Sequence, residues 1–432
     1  MAEKRSLFNI SIDFSDEDLN QLFESFDPLM NENPQLEQNP DLKKLTQFDP
    51  IDWGYLTSVR DNLLSGIVDH YFRAEIYGLE KINKEGPAII GCNHSGTAFP
   101  HDAVVLDALL WRYYKFMPKY KFRSVYSPKL AKVWWMRPYG VDNFWRKCGG
   151  IDMTFQNFSQ LLENGERVIY YPEGVPGIGK GFTRRYQLQH FYSSFAVLAA
   201  MHDAPFYPIL CVNGEWVNPT SITFPILDKL FDKLMGLPFF PVPAVFVGFI
   251  FPFFYFLSFP CNMKFFVGSP VNVRELLKKN GIEDYTKAEK LDYQKVADQV
   301  RDQMQIELTD AVNEHGNKPY NWATLKQKMG EIKGIANKMK ATPFGWPFAY
   351  IKHERDLHRP KAGKIWSFLR DWDIWLFFFP FGWFLLAMTR ALRKAPYGYR
   401  GMSKKEWRTK TGSYFWKLSD NPMPSRSERF GD

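Results

Sequence analysis

Short apolar runs alternate with longer periodic stretches along the middle of this chain. The runs fall in RAEIYG, PAIIGCN, RVIYYPEG, PFYPILCV and MKFFVGSPV, all between about residues 51 and 280. Each is strand-length and rich in branched or aromatic residues, with Gly, Pro or Asn at its edge. Helical segments are predicted between them at Asp102 to Tyr114, Phe155 to Asn164 and Gln187 to Ala204. Asp102 stands where a carboxylate can cap the first of these, accepting from free amides at the positive end of the helix dipole. From Thr286 to Val312, Tyr293, Val296, Val300, Met304, Leu308 and Val312 recur every three or four residues, which predicts an amphipathic helix lying on the domain. Strands alternating with helices predict an α/β fold, a mixed but mostly parallel sheet flanked by helices.

Outside this region the pattern changes. Residues 1 to 50 hold 11 acidic and 4 basic side chains among Asn, Pro and scattered Leu and Phe. They predict a loosely ordered acidic arm with one short amphipathic helix near Glu17 to Phe26. The organisation expected is therefore an arm over 1–50, an α/β domain over 51–315 with an apolar insertion at 234–261, and a basic, membrane-interfacial extension over 316–432. No internal repeat is evident.

Two apolar stretches depart from the strand-and-helix pattern. Leu234 to Cys261 runs 28 residues without a charge, long enough to cross a bilayer, yet it contains Pro238, Pro241, Pro243, Pro252 and Pro260. Prolines at that density break a continuous helix, and irregular backbone is not tolerated facing lipid, so a re-entrant or interfacial plug is expected. Ile374 to Met388 is 15 residues long, with Pro380 and Gly382 near its centre. It falls short of the roughly 20 residues that a helical span needs. Trp372, Trp375 and Trp383 and a following basic block suit a segment dipping into one leaflet. The bland alternative for both stretches is a buried core element, but that much Phe would need cover.

Charge sharpens the choice of partner. The net charge of +8 is concentrated: residues 390 to 417 carry nine basic side chains against the single acid Glu406. A basic block directly behind an apolar segment fits an anionic membrane face, and no nucleic-acid-binding signature accompanies it. Aromatics make up 17% of the 432 residues, with 39 Phe and 14 Trp, heavy for a soluble protein although the charged fraction of 24% is ordinary. Cys92, Cys148, Cys211 and Cys261 lack paired spacings and are expected reduced and buried, with no metal site. The N-terminus shows no secretory pattern, so membrane association at the cytoplasmic face is expected.

The chemistry lies in two words, CNHSGTAFPHDA at 92 to 103 and YYPEGVPGIGKGFTRRYQLQHF at 170 to 191. Each follows a predicted strand, where an open α/β sheet holds its site. An alcohol is a poor nucleophile at neutral pH, so a neutral imidazole must take its proton as it attacks an acyl carbonyl. His94 is the candidate base, and Asp102 the carboxylate that fixes its tautomer and favours the imidazolium. Amides around Gly96 are candidates for oxyanion stabilisation. Glu173 and Gly174 lie in a turn where Pro172 presets one angle and the glycine allows a positive one. Lys180, Arg184 and Arg185, beside Gly177 and Gly179, are cations suited to phosphates, though a solvated cluster is the competing reading for each. His101 adjoins Asp102, so the two diverge, and it is assigned no more than a supporting place behind the site.

These words resemble the glycerolipid acyltransferase superfamily, that of bacterial lysophosphatidic acid acyltransferases. The matching residues are Asn93 and His94 with Asp102; Gly149, Gly150 and Ile151; Pro172, Glu173 and Gly174; and Pro205 with Pro208. They keep the family's order across about residues 70 to 275. Seven residues separate His94 from Asp102 where the usual spacing has four, which places the chain nearest a branch with an extended NHSG...P.D motif. The arginine often found after the Gly-Gly-Ile region is absent from IDMTFQNF.

The resemblance implies transfer of a fatty acyl group from acyl-CoA or acyl-carrier protein to a hydroxyl of a lysophospholipid, glycerol lipid or related alcohol. His94 and Asp102 would be catalytic. Gly96, Gly150, Glu173, Gly174, Lys180, Arg184 and Arg185 would bind substrate, Glu173 by accepting from acceptor hydroxyls. The thioester would be a co-substrate, with no permanently bound cofactor and no metal, and membrane lipids the partner. A G-x-S-x-G elbow is absent, which weighs against a serine lipase. A non-catalytic lipid-binding protein and a thioester hydrolase are the competing functions.

Overall fold

A computed structural model describes residues 66–95, 99–115, 122–126, 148–222, 244–343 and 372–392, with a few isolated positions besides, among them Leu56, Leu64 and Trp145. The predicted arm and its helix near Glu17, the turn at Gly96 and the basic block beyond Leu392 lie outside the described residues.

Seven strands form one sheet: β1 (Glu75–Tyr77), β2 (Ala88–Cys92), β3 (Phe122–Tyr126), β4 (Ile151–Asp152), β5 (Arg167–Tyr170), β6 (Phe206–Val212) and β7 (Lys264–Val267). Their order is β1-β7-β6-β2-β5-β3-β4. Every pairing is parallel except that of β6 with β7. The sheet is thus mixed and mostly parallel, as the alternation of runs predicts. β3 and β4 were not among the predicted strands. FRSVY carries Arg and Ser, and ID is two residues long, so neither makes an apolar run, and both are held by neighbours instead.

Helices cover both faces. They are α1 (His101–Tyr113), α2 (Phe155–Glu163), α3 (Gly174–Gly179), α4 (Ser194–Met201), α5 (Ala244–Ile250), α6 (Val273–Lys279), α7 (Lys290–His315), α8 (Trp322–Glu331), α9 (Ile335–Lys340) and α10 (Gly382–Leu392). Neighbouring residues of the central strands serve opposite layers, because side chains alternate across a strand. Ile90, Tyr207, Ile209 and Cys211 pack with α1, whereas Ile89, Phe206, Leu210 and Val212 pack with α2, α4, α6 and α7. All residues of β2, β5 and β6 are buried, the property of strands covered on both sides.

Two predicted helices moved. The run from Gln187 to Ala204 is helical only over Ser194–Met201. The preceding residues are tied down otherwise, Leu188 N donating to Gln305 and Gln189 N to Glu173. The amphipathic helix is α7, which starts at Lys290 because Glu289 and Asp292 form a reciprocal capping box. Its buried stripe is Tyr293, Val296, Ala297, Val300, Met304 and Leu308, and Val312 is half-buried.

In the first apolar stretch α5 stops at Ile250, and Pro252 opens a separate 3₁₀ turn over Pro252–Phe256. Among the described residues no helix is long and apolar enough to cross a membrane. None of the four cysteines forms a disulfide; Cys92, Cys211 and Cys261 are buried, but Cys148 is only half-buried.

Candidate active site

Three neighbouring parallel strands, β5, β2 and β6, end side by side, and the residues just past each end converge. Beyond β2, Asn93 is fully buried and acts as an extra rung of the sheet. Its Oδ1 accepts the amide of Cys211 at 2.7 Å, and its Nδ2 donates to the Cys211 carbonyl at 3.3 Å. This bond pair anchors the chain one residue before His94.

His94 leaves the sheet with its ring nearly buried, 6% exposed. Its Nδ1 lies 3.2 Å from Oδ2 of Asp102, and the same oxygen accepts the amide of Ser95 at 3.0 Å. The two side chains expected to pair thus come within 3.2 Å despite the longer spacing. Asp102 itself lies within the first turn of α1, which starts one residue earlier at His101, and its carboxylate is turned back to His94 rather than capping the helix. Burial alone would push its carboxyl up, but the hydrogen bonds from His94 and the Ser95 amide outweigh that and hold it below the usual range. An ionised Asp102 keeps the proton on Nδ1, which leaves Nε2 with a free lone pair facing away from the acid.

Tyr171, one residue past β5, stacks on the imidazole with ring centres 4.0 Å apart and planes 13° apart. The ring is thus fixed at its face as well as at Nδ1. His101, also buried, holds the Phe99 carbonyl at 3.0 Å through Nδ1 and is pushed down to about 4 by burial, so it stays neutral.

Glu173 has a different position from the one expected. It is fully buried, Oε1 accepts the His94 amide at 2.8 Å, and Oε2 accepts the Gln189 amide at 2.8 Å. Both oxygens are engaged by backbone, so it braces the histidine rather than offering itself to acceptor hydroxyls. Gly174 has φ 56, the left-handed angle expected of this turn. Three residues on, a Cβ on Gly177 would lie 2.5 Å from the Cβ of Glu173 and 3.1 Å from that of His94. A glycine there lets α3 close against both.

Lys180 corrects a second expectation. It is completely buried, with Nζ 3.4 Å from Oε1 of Glu215 and 3.9 Å from Oε2 of Glu173, and so it does not present itself to a phosphate. Desolvation pulls its ammonium down, but the two carboxylates overcome this and raise it. Glu215 also accepts the Tyr186 amide at 3.2 Å. Arg184 and Arg185 are exposed: Arg184 donates to the Lys180 carbonyl, and Arg185 lies over the rings of Phe182 and Trp216.

Gly150 lies just before β4 and packs against β3. Its amide donates to the Trp145 carbonyl at 2.8 Å, and an added Cβ would meet the Tyr126 ring at 2.9 Å. It lines a small cavity of about 30 Å³ with Val104, Trp111, Asp107 and Ser124. Ser124 Oγ is 2.7 Å from both oxygens of Asp107, whose carboxyl burial pushes up to about 7. The folded chain therefore holds this proton more tightly than the unfolded one, and stability falls as pH rises from the ordinary carboxylate range to about 7. Asp107→Asn should raise the thermal midpoint more at about pH 8 than at about pH 5. An equal gain at both values would show that the carboxyl is not held protonated.

Tyr171, Gly177 and Glu215 are the residues that the sequence reading missed. Tyr171 adjoins the Pro-Glu-Gly word and Gly177 lies within the glycine-rich run after it. Glu215 was visible as a carboxylate just past the PFYPILCV strand, at the sheet end where His94 and Glu173 also lie. Among the described residues no group of three or more His, Cys, Asp or Glu side chains is arranged to hold a metal ion.

Comparison with known proteins finds similarity in the segment that carries this His-Asp pair. Residues 73–212 match the family model described as Acyltransferase. The matched segment contains the His94–Asp102 pair and the Pro-Glu-Gly turn. An uncharacterized protein of Mycobacterium tuberculosis (strain ATCC 25618 / H37Rv) is 29% identical over 200 residues, covering 46% of this chain and 52% of that one. An uncharacterized protein of Mycobacterium leprae (strain TN) is 29% identical over 177 residues, 41% of this chain and 45% of its own. The chain thus spans about half the length of the curated relatives it matches. Among solved structures, the 1-acyl-sn-glycerophosphate (LPA) acyltransferase PlsC from Thermotoga maritima is similar at 14% identity and a TM-score of 0.32, over 61% of this chain and 84% of that one.

Proposed function

We propose that this protein is an O-acyltransferase that moves a fatty acyl group from acyl-CoA or acyl-carrier protein to a hydroxyl of a lysophospholipid, glycerol lipid or related lipid alcohol. It works in association with membrane lipids at the cytoplasmic face. The observation that carries this reading is the His94–Asp102 contact of 3.2 Å at the end of β2. The acceptor hydroxyl gives its proton to Nε2 of His94 as its oxygen attacks the thioester carbonyl. Asp102 holds the imidazolium that results. Collapse of the tetrahedral intermediate expels the carrier thiolate, which recovers the proton from His94 as free thiol. No enzyme-bound acyl group is needed, because the carrier thioester is already activated.

The backbone amide of His94 is committed to Glu173, and Tyr171 closes one face of the ring, so the imidazole is presented in a single orientation. The buried position of Lys180 leaves Arg184 and Arg185 as the exposed cations beside the site for a phosphate of the headgroup or of coenzyme A.

The test is release of free thiol from acyl-CoA by purified protein in detergent. It should require an added lysophospholipid or glycerol lipid acceptor and yield the acylated lipid by mass spectrometry. Release that proceeds equally without any acceptor would replace transfer with hydrolysis.

A further inference from the structure

The two apolar stretches of the sequence are separate in the chain but not in the structure. A 3₁₀ segment over Trp372–Phe378, a turn and α10 fold back on α5. Trp383 Nε1 donates to the Phe249 carbonyl at 2.9 Å, and the Phe381 amide donates to the Ile250 carbonyl. The turn is tight enough that a Cβ on Gly382 would overlap the Leu376 carbonyl. The inner side chains are core: Phe377 and Leu386 are fully buried and Trp383 is 8% exposed. The outer ones are not. Trp372, Phe379, Phe381, Phe384, Leu385 and Met388 are each 40–56% exposed. Phe381 keeps a left-handed φ of 50, a conformation that costs of order 1–3 kcal/mol for a residue other than glycine, while its side chain, set edge-on to Phe249, stays about half exposed. A row of large apolar side chains turned outward on a packed support is an interaction surface.

We propose that this face docks on an anionic lipid bilayer. The argument for a bilayer rather than a protein is charge. From Ile374 to Lys405 the sequence holds no acid, and Arg390, Arg393, Lys394, Arg400, Lys404 and Lys405 follow the exposed rings. Rings that enter the acyl boundary and cations that meet phosphate headgroups are the two halves of interfacial binding. The proposal deepens the acyltransferase reading by naming the surface on which the site works.

Ring contacts join the docking face to the catalytic turn. Phe377 and Phe256 are 6.2 Å apart, Phe256 and Phe99 4.9 Å, and Phe99 and His101 4.9 Å, next to Asp102. All of these aromatic side chains but His101 belong to the core cluster that packs on α1. The face that meets lipid and the turn that holds the dyad are thus one packed unit.

The test is flotation of the full chain with phosphatidylcholine vesicles, made with and without phosphatidylglycerol. Wild type should float with the anionic vesicles. The double variant Phe384→Asp/Leu385→Asp should partition at least about 10-fold less, since two apolar side chains are lost from the interface. Phe384→Ser alone should show a smaller loss, and serves if the double variant fails to fold. Flotation requires no turnover, so an inactive protein that floats would refute acyl transfer and leave the docking face standing. Unchanged flotation of the folded variants, or a change confined to self-association in solution, would overturn the proposal.

Discussion

Replacing His94 by alanine should lower kcat for acyl transfer by about 10²–10⁴-fold, the usual worth of a positioned general base. The fold should survive. The anchors of this strand end are the Asn93 bonds to Cys211 and the amide of residue 94 on Glu173, and neither uses the imidazole. KM for the thioester should change little, because the ring acts on the acceptor proton. Asp102→Asn makes a sharper test of the same mechanism. One oxygen of Asp102 serves both Nδ1 and the Ser95 amide, so a carboxamide either turns its NH₂ to Nδ1, which favours the Nε2-protonated tautomer that cannot act as base, or keeps its oxygen there without the charge that holds the imidazolium. A loss of kcat close to that of His94→Ala, with a fall in stability of about 1–3 kcal/mol at most from one unpaired amide, is the expected result. Full activity in either variant would remove the dyad from the mechanism.

How far this site could be read before the structure was known follows from which residues interact locally. β2, β5 and β6 announce themselves because strands buried on both faces are written as unbroken apolar runs. β3 is not, since Arg123 and Ser124 use their side chains on Glu166 and Asp107, partners that no periodicity reveals. The His94–Asp102 contact was legible because the two residues are only eight positions apart, at the end of β2 and the start of α1. The roles of Glu173 and Lys180 were not, because each is decided by residues far along the chain. The carboxylate next to a Pro-Gly turn looks like a surface group. It is buried because the His94 amide, 79 positions away, and the Gln189 amide both need an acceptor. Lys180 reads as one cation of an exposed trio until Glu215, beyond the next strand, is seen to draw it inward.

That buried charge cluster predicts the largest effect on stability. Lys180→Met fills a similar volume but strands two carboxylates, Glu173 and Glu215, in a space without solvent. Removing one partner of a buried pair costs about 3–5 kcal/mol, mostly from the charge left behind. Burial already pushes the Glu215 carboxyl up, with Lys180 pulling it back, so the variant should take up a proton there on folding. Lys180→Met should therefore lose stability more steeply than wild type as pH rises above the ordinary carboxylate range, because the folded state then holds the extra proton more tightly than the unfolded chain. Glu215→Gln placed on top of Lys180→Met should recover much of the loss, since a neutral amide can still accept the Tyr186 amide. Urea unfolding of the single and double variants as a cycle measures this coupling. Because Glu173 also braces His94, the single variant should lose kcat as well as stability. Additive losses in the double variant, or a Lys180→Met protein as stable as wild type, would mean that the ammonium is not what neutralises this cluster.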